Sequence, residues 1–196
     1  MAWISTISPN EADGELAKIY DSIARARGDI ADVHQLQSLN VKALSAHLSL
    51  YKSIVFSSLS LSRIARERIA VVVSAENRCA YCVSHHAQAL ANLGDESNVI
   101  DAIAKGDIPA TLPAADRELL SWARLGAKAP SQAAPSNIQT LKDLGFDDRA
   151  ILDAALTVSY FSFVNRLVLL LGGSLEDGYE ATCGSELTDG DREEKA

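Results

Sequence analysis

Cys79-Ala80-Tyr81-Cys82-Val83-Ser84-His85-His86 is the stretch on which the reading of this 196-residue chain turns. Two thiols stand three residues apart, and His86 follows the second by four. If the stretch opens a helix, Cys79, Cys82 and His86 fall at i, i+3 and i+7 and share one face. Whether it does depends on the run before it. Ile69-Ala70-Val71-Val72-Val73 is rich in β-branched residues and on propensity alone passes for a strand. The flanking Arg63, Arg66, Glu67 and Arg68 continue a helical pattern that Ser62 caps, and no partner strand is found elsewhere. The run is therefore read as a helix, Asn77-Arg78 as a break, and the thiols as the start of a further helix that ends at Leu93-Gly94.

Outward from this hairpin the pattern stays helical. Pro9 and Asn10 with the acids after them predict a helix start, with Leu16, Ile19, Tyr20 and Ile23 as its apolar stripe to about Arg27. Asn40 caps a second long helix, from Val41 to about Ser57. Downstream, Asp95 caps a short helix through Ile103, and Pro113 opens one from Ala114 to Leu125. Gly126 to Ser136 reads as a connector, and a short helix follows from Asn137 to Leu144. Asp147 or Asp148 caps the last helix, which runs to Leu171 and stops at Gly172-Gly173. The fold class is all-α, with roughly seven to nine helices. One domain covers residues 1–173, with its core motif at 62–93, and 174–196 is an acidic polar tail, disordered over its last residues.

A hydrophobic content of 47% is enough for a core without a disulfide framework. The net charge of -8, from 26 acidic and 18 basic residues, argues against nucleic acid or an anionic membrane surface as partner. No basic and apolar leader opens the chain, and the apolar stretch from Ala150 to Leu171 carries Asp153, Asn165 and Arg166, so it reads as a buried helix rather than a span. Three cysteines, Cys79, Cys82 and Cys183, suit a reducing cytoplasmic setting rather than a secreted scaffold.

A thiol pair beside a proton-handling group is what dithiol redox chemistry requires: a thiolate to attack and a second thiol to close the disulfide. A helix N-terminus favours the thiolate, and His86 stands one turn beyond Cys82 to take its proton. Either Glu67 or Glu76 could orient that histidine; spacing alone does not choose. A zinc site would need a fourth ligand beyond Cys79, Cys82 and His86, drawn from His85, His34, His47 or an acid, and the pattern supplies no second C-x-x-C or H-x-x-x-H. Two inert buried thiols are the other alternative. Pairing, helix position and His86 together favour redox chemistry, with no metal and no cofactor. His34 and His47 belong to no constellation, Cys183 reads as incidental, Asn165 and Arg166 as structurally paired, and Tyr160, Phe161 and Phe163 as core.

Glu67, Cys79, Cys82 and His86, at the spacing E-x11-C-x2-C-x3-H, resemble the signature of the alkylhydroperoxidase AhpD-like superfamily, which also contains the carboxymuconolactone decarboxylases. Leu36 to Asn40, Ala46 to Tyr51 and Tyr160 to Leu167 resemble its peroxidase-related branch, so the likeness spans about Val33 to Gly172. The resemblance implies a thiol-dependent hydroperoxide reductase with Cys82 as peroxidatic nucleophile, Cys79 as resolving thiol, and His86 and Glu67 as the proton relay. It also implies an external dithiol or disulfide reductant and a homo-oligomer. The chain departs from the pattern at Tyr81, where the best-known relatives carry a relay histidine; Tyr81 and His85 are possible relay members here. A dithiol relay or redox-sensing module is the alternative. A decarboxylase-like enzyme is disfavoured, because the decarboxylases of the superfamily generally lack the cysteine pair.

Overall fold

A computed structural model describes residues 2–57 and 60–176. Cys183 and most of the acidic tail lie outside the described residues. The organising element is the helix that contains the β-branched run. It is α4, Arg63–Glu76, and Ser62 Oγ caps it by accepting the Ala65 N–H at 3.1 Å. Ile69, Ala70, Val71, Val72 and Val73 are all buried, because helices cover α4 on every side. A helix so enclosed keeps no polar face, which is why its core stretch shows no amphipathic period.

Before it come α1 (Gly14–Arg27), α2 (Asp32–Gln35) and α3 (Val41–Tyr51); after it come α5 (Ala80–Asn92), α6 (Ser97–Ala104), α7 (Ala114–Lys128), α8 (Pro135–Asp143) and α9 (Asp148–Leu171). Among the described residues there is no strand, so the all-α expectation holds. α5 packs against α4 as a hairpin, α9 and α7 lie along its other sides, and α6 closes the end. A smaller apolar cluster of Leu16, Tyr20, Ile23, Ile30 and Leu44 seats α1 against α3.

Several element ends differ from the sequence reading, each for a local reason. The first helix begins at Gly14, not at Pro9-Asn10, because Glu11 closes a turn of its own: its carboxylate accepts from Ser8 Oγ at 2.6 Å and from the Ser8 N–H at 3.2 Å. The α-helical part of α3 stops at Tyr51 and continues as a π turn, Lys52–Phe56. There the buried Arg66 guanidinium collects the carbonyls of Ile54, Val55 and Ser57 at 3.2, 2.8 and 3.1 Å. Asp95 does not cap α6; its carboxylate is held by Arg68 at 2.5 Å, and Glu96 takes the cap position. Gly126 does not open a connector but lies inside α7, where an added Cβ would come within 3.0 Å of Val158 Cγ1. It is a helix-packing glycine rather than a breaker.

α9 is long and apolar enough to cross a membrane by length and composition. Three of its polar residues are nevertheless buried inside the protein: Asp153 pairs with Arg149 at 3.0 Å and accepts the Ser60 N–H at 3.0 Å, and Thr157 and Asn165 are fully buried. The helix stops at Gly172 (φ 71°), packed so closely on Trp3 that no Cβ would fit. The backbone runs on, and Ser174 and Glu176, assigned to the tail in the sequence reading, are tied to Asp32 at the start of α2 by bonds of 3.0 and 2.7 Å.

Candidate active site

The thiols are placed by the turn between α4 and α5. Arg78 adopts a left-handed conformation (φ 56°), and the Cys79 N–H donates back to Ser74 O at 2.9 Å. Cys79 thereby becomes the cap residue of α5 and Cys82 its third residue, among backbone N–H groups without a helical partner. The Cys79 thiol hydrogen-bonds to Cys82 Sγ at 3.2 Å, and both side chains are buried. A disulfide needs a separation of about 2.05 Å, so the pair closes by a small rotation rather than a rearrangement.

One turn on, His86 Nδ1 lies 2.6 Å from Glu67 Oε2. A carboxylate only accepts, so Nδ1 carries a proton, and in the neutral form of the ring the lone pair is on Nε2. Geometry thus chooses the acid that spacing could not: Glu67 meets His86, whereas Glu76 pairs with Lys128 at 3.4 Å. Glu67 is 1% exposed. Burial raises its pKa, but His86 and then Arg63 more than offset this and hold the carboxyl below its ordinary range. Arg63 Nη2 stands 2.6 Å from Glu67 Oε1, while its guanidinium lies 4.0 Å above the Phe56 ring. Phe161 meets the His86 ring edge-on at 4.5 Å.

Tyr81 and His85 are brought together on a different carboxylate. Tyr81 donates to Glu176 Oε1 at 2.9 Å and accepts the Val33 N–H at 3.2 Å; His85 Nε2 donates to Glu176 Oε2 at 3.1 Å. Burial, then the Glu176 charge, pushes the Tyr81 hydroxyl well above its usual range, so it stays protonated. Burial opposes the ionised form of Glu176, but the bonds from His85 and the Asp32 amide prevail and hold it at about 2.

On the other side of the thiols, Asn165 of α9 accepts from Asn77 Nδ2 at 2.9 Å and donates to Ser74 Oγ at 3.0 Å. The hydrogen-bonded Cys79 sulfur, then burial, drives Cys82 up, and Asn165 acts in the opposite direction.

Sequence reasoning missed Arg63, Glu176 and the bonds of Asn165 to Asn77 and Ser74, beside the thiols. Arg63 and Glu67 stand at i, i+4, a spacing that could have flagged the pair. Nothing in the sequence marks Glu176. His47 also differs from its reading as an ordinary residue: it is buried, with Nε2 2.6 Å from Tyr160 OH and Nδ1 beside the Gln37 amide. Arg166, next to Asn165, is exposed and caps only its own helix turn through Ser162 O. Among the described residues no group of three or more His, Cys, Asp or Glu side chains is arranged to hold a metal ion.

The sequence model of the Carboxymuconolactone decarboxylase family matches residues 43–124. The fold is similar to the alkylhydroperoxidase AhpD core of an uncharacterized peroxidase-related protein from Ralstonia eutropha JMP134, at TM-score 0.82 and 22% identity over 90% of this chain and 93% of that one. It is also similar to an uncharacterized peroxidase-related protein from Silicibacter sp. TM1040, at TM-score 0.78 and 26% identity, covering 90% and 92%. The debrominase Bmp8, in complex with 2,3,4-tribromopyrrole, shares the fold at TM-score 0.73 and 16% identity, covering 90% and 94%. No curated protein sequence matches this chain.

Proposed function

Because this chain belongs to the AhpD-like and carboxymuconolactone decarboxylase superfamily, on its peroxidase-related branch, we propose that it is a thiol-dependent hydroperoxide reductase. The observation that carries the reading is the Glu67–His86 contact of 2.6 Å, one turn from a thiol pair 3.2 Å apart at the start of α5. His86 Nε2 takes the Cys82 proton. The thiolate attacks the outer oxygen of a hydroperoxide, the O–O bond breaks, and the departing alkoxide receives the proton from His86 and leaves as alcohol. Cys82 is then a sulfenic acid. The Cys79 sulfur attacks it, a disulfide forms, and the sulfenic oxygen leaves as water. One hydroperoxide and two thiols give one alcohol, one water and one disulfide. An external dithiol returns the two electrons by exchange through a mixed disulfide.

The scarcity of cysteine fits a reducing, cytoplasmic setting. A homo-oligomer is supported by the outer stripe of α9, where Leu152, Leu156, Phe163 and Leu170 are exposed. One observation favours the second reading, a dithiol relay without peroxide turnover: Tyr81 stands where a relay base would be, and its hydroxyl is held protonated against Glu176.

Stopped-flow oxidation of the pre-reduced chain by cumene hydroperoxide, and separately by hydrogen peroxide, tests the proposal. Rapid loss of thiol, abolished in Cys82→Ser and stalling at a trapped sulfenate in Cys79→Ser, is expected. Reaction no faster than a free thiol, alongside a disulfide that exchanges readily with dithiols, selects the relay reading.

A further inference from the structure

We infer that Tyr81, His85 and the Asp32 N–H form a carboxylate-binding site on the thiol helix, which takes a small organic acid and which Glu176 fills from within the chain. Such a site goes beyond the reductase reading and does not rest on it.

Three donors meet at the Glu176 carboxylate, and none belongs to the segment that carries it. The Asp32 N–H and the Tyr81 hydroxyl reach Oε1 at 2.7 and 2.9 Å, and His85 Nε2 reaches Oε2 at 3.1 Å. Two of these donors are aimed by bonds and packing of their own. Tyr81 is 6% exposed, and its oxygen accepts the Val33 N–H at 3.2 Å, which leaves the hydroxyl hydrogen to point at the anion. Tyr81 and His85 stand at i, i+4 on α5 with ring centroids 4.5 Å apart, so each ring limits the rotation of the other. A buried donor without an acceptor costs free energy, so the site calls for an acceptor whichever molecule supplies it. An ionised carboxylate suits it best, because its hydrogen bonds are about twice as strong as neutral ones.

The Asp32 carboxylate is engaged separately, accepting the Ser174 N–H at 3.0 Å. That bond uses the backbone of the segment, so the Glu176 side chain can swing out while the segment stays. The space it vacates is that of a carboxylate on two methylenes, which sets the size of the ligand. The Glu176 side chain is 20% exposed, so solutes have access to the carboxylate. Tyr81 directly precedes Cys82 and His85 directly precedes His86, so an acid held here lies along the turns of α5 that carry the thiol and the imidazole.

The test follows the Asp32 amide resonance by NMR in the full chain as sodium acetate replaces sodium chloride at constant ionic strength, with acetamide as the neutral control. Glu176→Ala removes the equivalent of one acetate. In that variant acetate is expected to bind with a midpoint of about 1–100 mM, and acetamide is expected to leave the resonance in place. A tethered carboxylate competes at a millimolar or higher effective concentration, so the parent should need at least about tenfold more acetate. Glu176→Gln keeps the shape without the charge; it should titrate between the two, and carries the test if the alanine variant does not fold. Tyr81→Phe added to Glu176→Ala should weaken acetate binding about tenfold. No response to acetate beyond that to chloride and acetamide would overturn the site, and would leave Glu176 as a structural tie. An acetate titration unchanged by Tyr81→Phe would overturn the donor set, and a parent that titrates with both Glu176 variants would overturn Glu176 as the resident occupant. No peroxide or thiol chemistry enters these measurements, so they stand apart from the outcome of the reductase assay.

Discussion

Glu67→Gln puts the relay to its sharpest test, because Arg63 dictates how the new amide must sit. In the native chain Glu67 gives one oxygen to Arg63 Nη2 at 2.6 Å and the other to His86 Nδ1 at 2.6 Å. Arginine has donors only, so a glutamine at this position must turn its single oxygen toward Arg63. Its NH2 then faces His86. Nδ1 can accept that hydrogen bond only by giving up its own proton, and the imidazole switches to the tautomer with hydrogen on Nε2. That is the nitrogen whose lone pair must take the Cys82 proton. A positioned general base contributes about a hundredfold to ten-thousandfold, and the same tautomer error in the Ser-His-Asp triad costs about ten-thousandfold. Oxidation of Cys82 by cumene hydroperoxide, followed by stopped-flow thiol loss and mass, should slow at least about a hundredfold. Stability should fall less, by about 1–3 kcal/mol in urea titrations, because the Arg63 side chain is 26% exposed and water takes up its released charge. The argument also predicts a partial rescue. With Arg63→Met added, the amide is free to present its oxygen to His86, and about tenfold of the rate should return. A Glu67→Gln rate within about threefold of the parent, with the fold intact, would refute the relay; a missing rescue would refute the role given to Arg63.

Acid stability should fall in two separable windows. Burial holds His47 down to about 4 against an ordinary 6.5, so it folds neutral; its contribution is complete above 6.5 and is lost as pH falls toward 4, by about 3 kcal/mol at most. Glu67 and Glu176 are lowered in the fold, so their contribution is complete above about 4.5 and is lost as pH falls through their folded values, about 2 for Glu176. Urea midpoints measured across this range should show both slopes, with Glu176→Gln flattening only the lower one. Tyr160→Phe leaves His47 Nε2 without the hydroxyl 2.6 Å away and should cost about 1–3 kcal/mol in the same titrations; an unchanged midpoint would show that the bond carries no net stability. Leu156→Glu with Leu170→Glu places charge on the exposed stripe of α9 and should convert the proposed homo-oligomer to a monomer in light scattering with helicity unchanged; an assembly in the parent that persists in that variant would refute α9 as its interface, and a monomeric parent would refute the oligomer itself.

The hairpin that organises the fold was legible because its signals are local. Ser62 caps α4, the break falls at Asn77-Arg78, and the thiols open α5, all as spacing and capping chemistry predict. The failures share a cause. Glu11, Asp95 and Gly126 each carry a strong local signal, but a partner outside the local pattern or across the fold claims the residue: Ser8, Arg68 and Val158. A polar side chain near a helix start caps it only if nothing binds it more strongly, and sequence order does not list the competitors. The polar residues around the thiols obey the same rule. Glu67 and His86 are placed by neighbouring turns of one hairpin, so a spacing can encode them. Asn165 and Glu176 reach the motif from α9 and from the backbone beyond it, and no spacing constrains a contact that depends on how α9 crosses α4.

That division bears on Tyr81. A tyrosine in place of a relay histidine reads, within the motif, as the loss of a base. In the fold its hydroxyl proton is committed to Glu176 and its oxygen accepts from Val33, so the side chain fastens the segment after α9, and the start of α2, to the helix that carries the nucleophile. In the proposed relay the base function falls to His86, which Glu67 orients. On the opposite side Asn165 holds Asn77 and Ser74, which lead into the thiol pair. Deleting the tyrosine hydroxyl should therefore act on the docking of residues 174–176 rather than on proton transfer. Tyr81→Phe is expected to leave the pH profile of Cys82 oxidation in place while easing proteolysis after α9. A profile shifted along the pH axis would instead put Tyr81 in the relay.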